Sequence, residues 1–422
     1  MAPHFSPDQV VAGREILACL RNKSNLSAVL SGYAGTGKTW LTLFIVKRLL
    51  QDEPGREVVY AANFGRATSV ISDRVGQPAS TVCKLIYTNV SETEDGRPVF
   101  SGLKAPCAPG GLVVVDEVST IGRKLYMDML KAIRMAPGAQ YLLLGDPKQL
   151  PPVKDRAGPD LKRPDAMLTH VHRQESGSPV LDLATALREE RYEAWAETYE
   201  GGDPRLQIYD SLDDALAWFL EHRRAGHEAT LLCYTNATRV LLNQRIREAL
   251  GMKEVLNVGE TLLSKINTSK FGVMNGDTFC VSGLDPYRTV GGHELVWVKS
   301  PGLKMPALVA THLIGQERVV YSKWRATHKD ALGEDDFNAM LHVDIGYTIT
   351  AHMAQGSQWR HVGLVLDGQF WRLKERAPEE ADQLFYTSAT RTTDALALFY
   401  IDVMTAEEIA AEDAMKLEQE VA

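Results

Sequence analysis

The chain has 422 residues, of which 45% are hydrophobic and 24% charged. That composition excludes a disordered or fibrous protein, and at about 150 residues per domain the length implies two or three domains. The 46 lysines and arginines against 54 aspartates and glutamates leave a net charge of −8, which excludes a polybasic binder, so any attraction for nucleic acid must be local.

Residues 1–10 show neither a basic segment nor an apolar one, so no secretory signal is expected there. No apolar run reaches the roughly 18 residues that a membrane span needs. Short apolar runs at 27–30, 58–61, 112–115 and 141–144 predict buried strands, with helical spacing at 40–50 and 124–135 between them. Residues 84–110 break that alternation, where Asp95-Gly96 between two extended runs predicts a β-hairpin. The strand–helix pattern resumes with 180–190, 230–234, 239–250, 362–366 and 395–400. Residues 256–335, rich in glycine and short β-like runs, predict a small β-domain inserted into this second block. Within it, the interleaved aromatic and basic residues from Tyr321 to Lys329 suit either single-strand contact or a solvated charged strand. Continuous apolar strands alternating with helices indicate parallel sheets covered on both faces. The reading is two α/β domains, 1–166 and 167–422. Residues 405–422 carry six acids against Lys416, a net of −5 that leaves −3 for 1–404, and read as an acidic tail or helix. Cys19, Cys83, Cys107, Cys233 and Cys280 show no metal-binding spacing and are expected as reduced thiols.

Gly32-Tyr33-Ala34-Gly35-Thr36-Gly37-Lys38-Thr39 fits G-x-x-x-x-G-K-[ST], between a strand and a helix. In such a loop glycines let backbone N–H groups turn inward around phosphates, and the helix N-terminus adds partial positive charge. Gly32, Gly35, Thr36 and Gly37 would cradle a nucleotide, Lys38 would reach its β- and γ-phosphates, and the Thr39 hydroxyl would ligate Mg²⁺. The strand Leu112-Val113-Val114-Val115 delivers Asp116 and Glu117 at its C-terminal end. Asp116 would hold Mg²⁺, and Glu117 would orient and deprotonate the attacking water. Gln149, after the strand at 141–144, supplies an amide able to sense the γ-phosphate or that water.

These segments resemble motifs I, II and III of superfamily 1 helicases. Later segments extend the likeness: Leu168 to Gln174 is similar to motif IV, Cys233-Tyr234-Thr235-Asn236 to the strand that opens the second core domain, Gly346 to Ser357 to motif V, and Tyr386 to Arg391 to motif VI. Phe5 to Gln9 resembles the N-terminal adenine-reading motif. The match is to the RecD/Dda-like branch, superfamily 1B, and covers roughly residues 5–400. The resemblance implies an ATP-dependent 5′→3′ DNA helicase built from two RecA-like P-loop NTPase domains. It implies a β-hairpin insert in the first, equivalent to the strand-separation pin, and a small SH3-like β-barrel insert in the second. Gln9 would bind adenine, and Arg173 and Arg391 would be arginine fingers supplied across the cleft. Phosphate contact and base stacking point to Phe64, Arg66, Thr81, Lys84, Thr235, Asn236, Thr350 and His352 along the strand. ATP and Mg²⁺ are the implied cofactors. Single-stranded DNA and forked duplex are the implied partners, with replication and single-strand-binding proteins as further candidates. A cytoplasmic monomer is expected.

The chain departs from the branch in three places. Met353-Ala354 stand where Lys-Ser is usual, Gln358 where Glu is frequent, and Ala61 to Arg66 lack a Pro-Thr core. Two other readings stay open: an RNA helicase or RNP remodeller, and an ATP-gated clamp that hydrolyses ATP without separating strands.

Overall fold

The computed structural model describes residues 5–92, 98–152, 155–171, 177–268 and 270–401. The first sheet contains β1 (Ser27–Gly32), β2 (Val58–Ala62) and β3 (Ala79–Thr81). The chain then makes an antiparallel pair, β4 (Tyr87–Glu92) and β5 (Pro98–Leu103), and returns to the sheet as β6 (Leu112–Asp116), β7 (Gln140–Gly145) and β8 (Ala166–Leu168). The strand order is β3-β2-β6-β7-β1-β8, and every pairing is parallel. Successive side chains of a strand point to opposite faces. Leu112, Val114, Leu142 and Leu144 therefore pack with the helices Pro7–Arg21 and Lys38–Asp52, while Val113, Val115 and Leu143 pack with the helix Arg123–Arg134. Burial on both faces is why these strands read as unbroken apolar runs. β8 pairs with β1, so the boundary expected at 166/167 cuts through a strand of the first sheet. Three residues are too few for periodicity to reveal it.

The second sheet begins with β9 (Leu206–Tyr209) and β10 (Ala229–Cys233). The chain then leaves it for β11 (Thr261–Ser264), β12 (Thr278–Cys280), β13 (Gly283–Val290), β14 (His293–Lys299), β15 (Ala307–Ala310) and β16 (Val343–Ile345). It returns as β17 (Thr348–Thr350), β18 (Trp359–Leu366) and β19 (Thr392–Tyr400), giving the parallel order β17-β10-β18-β19-β9. Two small antiparallel sheets, β12-β11-β16 and β13-β14-β15, share one core that includes Leu262, Phe279, Val298 and Val343. This β-rich excursion closes at β16, beyond the expected limit of 335, because its last strand is separated from the rest by two helices, Arg318–Thr327 and Lys329–Ala339.

The stretch from Tyr321 to Lys329, expected as single-strand contact or a charged strand, is largely helical. Tyr321, Trp324, Arg325 and His328 recur at helical spacing, and that face turns inward. Tyr321 is buried and stacks on His342, while Trp324 stacks on His328. The expected hairpin region does pair, Tyr87 facing Leu103 and Glu92 facing Pro98, and Tyr87 OH anchors it by donating to Asp128 Oδ2 at 2.8 Å. Asp95-Gly96, Arg173 and the acidic tail lie outside the described residues. The five cysteines are free thiols. Among the described residues, no helix is long and apolar enough to cross a membrane.

Candidate functional site

β1 ends at Gly32, and the helix Lys38–Asp52 starts six residues later. The turn between them is possible because Gly35 and Gly37 take φ of +81° and +80°, which costs an L side chain about 1–2 kcal/mol. Gly37 is the N-cap, and no side chain caps this helix, so its first N–H groups remain available to an anion. Lys38 Nζ donates to Gly32 O (2.6 Å) and Tyr33 O (3.0 Å), closing over the loop. Gln9 is buried behind it. Its Nε2 donates to Thr36 O at 3.0 Å and its Oε1 accepts from Ser6 N at 3.1 Å, so it braces the loop main chain. An amide has two donors and two lone pairs, so one of each remains.

Asp116 ends β6 beside this turn, with Oδ2 at 3.5 Å from Thr39 Oγ1 and Oδ1 accepting from Glu117 N at 2.8 Å. Burial, reinforced by the neighbouring charge of Glu117, raises the Asp116 pKa to about 6. Glu117 holds φ at +54°, a left-handed conformation that is strained for a residue with a Cβ and recurs at functional sites. The Gln149 amide lies between Glu117 Oε2 and Arg391 Nη2, and with its nitrogen assigned to the carboxylate side it donates to Oε2 at 2.8 Å while its oxygen accepts from Nη2 at 2.9 Å. Arg391 immediately precedes β19 of the second sheet, is buried, and brings Nη1 to 4.0 Å from Glu117 Oε1. These side chains line a cavity of about 450 Å³ on the seam between the two halves, with Arg74 and Gln358 on its wall. Lys38, Thr39, Asp116, Glu117, Gln149 and Arg391 are therefore brought together.

The seam is held by buried polar contacts absent from the sequence-based expectation. Tyr386 OH accepts from Ala34 N at 3.0 Å and donates to Asp146 Oδ2 at 2.9 Å, joining the helix Pro378–Ala389 to both the phosphate-type loop and the end of β7. Burial, aided by the Asp146 carboxylate, pushes the Tyr386 pKa well up, so it stays a donor. Gln355 Nε2 donates to Leu150 O at 3.2 Å, and Leu150 N donates to Thr387 Oγ1 at 2.9 Å. The only sequence signal for Tyr386 was its place five residues before Arg391.

The residues expected along a nucleic-acid strand fall into two groups at strand ends. Phe64 follows β2 and Thr81 ends β3, its paired neighbour. Phe64 and Lys84 are exposed, and Thr81 caps the short helix Val82–Ile86. In the second sheet Thr235 and Asn236 follow β10, and Thr350 ends β17, which pairs with it. Asn236 is exposed, Thr350 is buried, and burial lowers the pKa of the half-covered His352. Arg66 is engaged differently: its Nη1 donates to Gly276 O at 3.1 Å, and its guanidinium lies 4.6 Å above the Trp359 ring. It ties the two halves together.

An AAA domain model matches residues 4–204. The ATP-dependent RecD2 DNA helicase of Deinococcus radiodurans is 29% identical over 378 residues, covering 87% of this chain and 46% of that protein. Over most of its length the chain is therefore similar to helicases of the RecD/Dda type. The ATP-dependent DNA helicase Dda of Enterobacteria phage T4 is 27% identical over 259 residues, 56% of this chain and 55% of that one. The chain spans about half the length of these curated relatives. The crystal structure of the Bacteroides Pif1 helicase in complex with ADP-AlF3 and ssDNA has the same fold, at a TM-score of 0.51 and 14% identity, covering 96% of this chain and 97% of that one. The three departures noted in the sequence have visible surroundings. Met353 packs against the core of the second half, Ala354 is buried, and Gln358 Oε1 accepts from Arg74 Nη2 at 3.3 Å.

Proposed function

We propose that the chain is an ATP-driven motor that moves 5′→3′ along single-stranded DNA and parts the duplex ahead of it. The observation that carries this reading is the placement of the Gln149 amide between Glu117 of the first half and Arg391 of the second, where its assigned orientation bridges them. Such a bridge makes the carboxylate that handles water and the cation that stabilises phosphoryl charge depend on one interdomain contact.

The donor set fits a nucleotide with Mg²⁺. The uncapped helix N-terminus and Lys38 suit phosphates, and the Thr39 hydroxyl and Asp116 carboxylate are hard oxygen ligands 3.5 Å apart. Bound Mg²⁺ would neutralise charge on the β- and γ-phosphate oxygens. Lys38 exchanges its two carbonyl partners for phosphate oxygens. Glu117 takes the proton of the attacking water, oriented by Gln149, and Arg391 presents its guanidinium to the transferred phosphoryl group. Arg173 belongs to the same role through its motif alone. Gln9 keeps a free donor and acceptor for adenine.

Closure of the seam on nucleotide and its release would alter the grip on the strand at the two groups of strand ends, with Phe64, Lys84 and Asn236 as the exposed contacts. We read the β4–β5 pair as the separation pin and the two small sheets as the SH3-like barrel of this branch. Domains 1–166 and 167–422 move against each other, with the division shifted past β8. Measuring DNA-stimulated ATP hydrolysis in Gln149→Ala tests the bridge. A loss of turnover with nucleotide affinity retained is expected, and turnover at the wild-type rate would overturn it.

A further inference from the structure

Three histidines with no part in the cleft converge where the helix Leu212–Arg224 hands the chain to β10. The helix ends in a Schellman turn. Gly226 takes φ of +72° and donates to Arg223 O, and His227 N donates to His222 O at 2.9 Å. That bond folds His227 back toward His222. Two residues on, Ala229 pairs with His361 of β18, whose N–H donates to Glu228 O at 3.2 Å. Main-chain geometry alone therefore collects the three side chains. Their ring centroids lie 4.7 Å, 5.1 Å and 5.5 Å apart, and one nitrogen from each falls within 4.8 Å of the others.

Two of the rings are already oriented. His222 Nδ1 lies 2.9 Å from Trp218 O, and His361 Nδ1 lies 3.4 Å from Glu228 O. A carbonyl only accepts, so both Nδ1 atoms carry the proton and both Nε2 atoms keep a lone pair. A backbone carbonyl on the remote nitrogen is the arrangement that orients metal-binding imidazoles. The Trp218 ring lies against His222 at 4.2 Å and restrains it. The nearby Asp394 carboxylate is paired with Arg360 at 2.7 Å.

We propose that His222, His227 and His361 bind one divalent transition-metal ion of the zinc class, with a fourth position open to water. Imidazole is a preferred ligand of such ions, and three nitrogens at zinc distance sit about 3.3 Å apart. The His227 and His361 rings are now nearly parallel, at 17°, so closing the set requires the exposed His227 ring to turn inward. The ion would clamp the end of the helix Leu212–Arg224 to β18, two residues from Trp359, the ring that Arg66 covers.

The test is titration of the untagged chain, without nucleotide, first with Co²⁺ and then with Zn²⁺. One Co²⁺ per chain should give an intense visible absorption band that Zn²⁺ abolishes, and Zn²⁺ should raise the melting temperature. His227→Ala, at an exposed position that the fold does not need, should weaken binding at least about tenfold, as should His361→Gln. No binding of either ion, or equal binding by wild type and both variants, would overturn the assignment. In the second case the exposed Cys280 or the cleft carboxylates would hold the metal.

Discussion

Two strand-to-helix turns face each other in function but not in construction. After β1, the turn is built of glycines, two of them left-handed, and the following helix has no side-chain cap. After β10, Thr235 caps the helix Asn236–Ala249 by accepting from Thr238 N at 3.1 Å, and Thr238 Oγ1 is in turn hydrogen-bonded to Asp367. The first leaves backbone donors for an anion, whereas the second satisfies its own. The proposed motor, with two similar α/β halves, therefore needs only one phosphate cradle. The second half supplies a guanidinium, Arg391, at the opposite ends of its strands.

That contrast can be broken at several points. The largest effect is expected from Arg391→Ala, which removes the cation of the second half and should slow DNA-stimulated ATP hydrolysis by about 10³-fold, read in a steady-state assay. Gly37→Ala comes next. Its φ of +80° disfavours a side chain, and the new Cβ would stand 2.8 Å from Gln9 Nε2. A loss of about 1–2 kcal/mol in denaturant unfolding should accompany weakened binding of a fluorescent nucleotide. Thr235→Ala should cost about 1 kcal/mol of stability as a lost cap, with ATP turnover in the absence of DNA unchanged. If it abolished that turnover, the two turns would not differ as described.

A pH effect separates the cleft from the β-rich excursion. His342 is buried against Tyr321, its Nε2–H donates to Gln316 O at 3.0 Å, and burial lowers its pKa to about 4. The unfolded chain takes up this proton first, near pH 6.5, so the folded state loses stability as pH falls from 6.5 toward 4. The full window is worth about 3 kcal/mol, and His342→Gln should flatten the melting temperature over it.

The parts of the fold legible in the sequence were those with dense local signal. β6 and β7 are continuous apolar runs because helices cover both faces, and Gly32 to Thr39 demands one backbone geometry. β3, β8, β16 and β17 have three residues each, too few to show a period. The helix Arg318–Thr327 was misread because its aromatic and basic residues suggested surface chemistry, while spacing by three and four buries Tyr321 and half-covers Trp324 and Arg325. Tyr386 and Asp146 lie in segments resembling motifs VI and III, yet neither has a partner readable from the sequence, because their bond joins residues 240 positions apart. Arg66 sat in an expected strand-binding segment, yet its cation serves Gly276 and Trp359.

The most direct measurement is unwinding of forked duplexes bearing a single 5′ or 3′ DNA tail, by wild type and by Lys38→Ala. ATP-dependent strand separation by the wild type on the 5′-tailed substrate alone, abolished in Lys38→Ala while the melting temperature holds, is the predicted result. ATP hydrolysis without strand separation, or preference for the 3′ tail, would contradict the account.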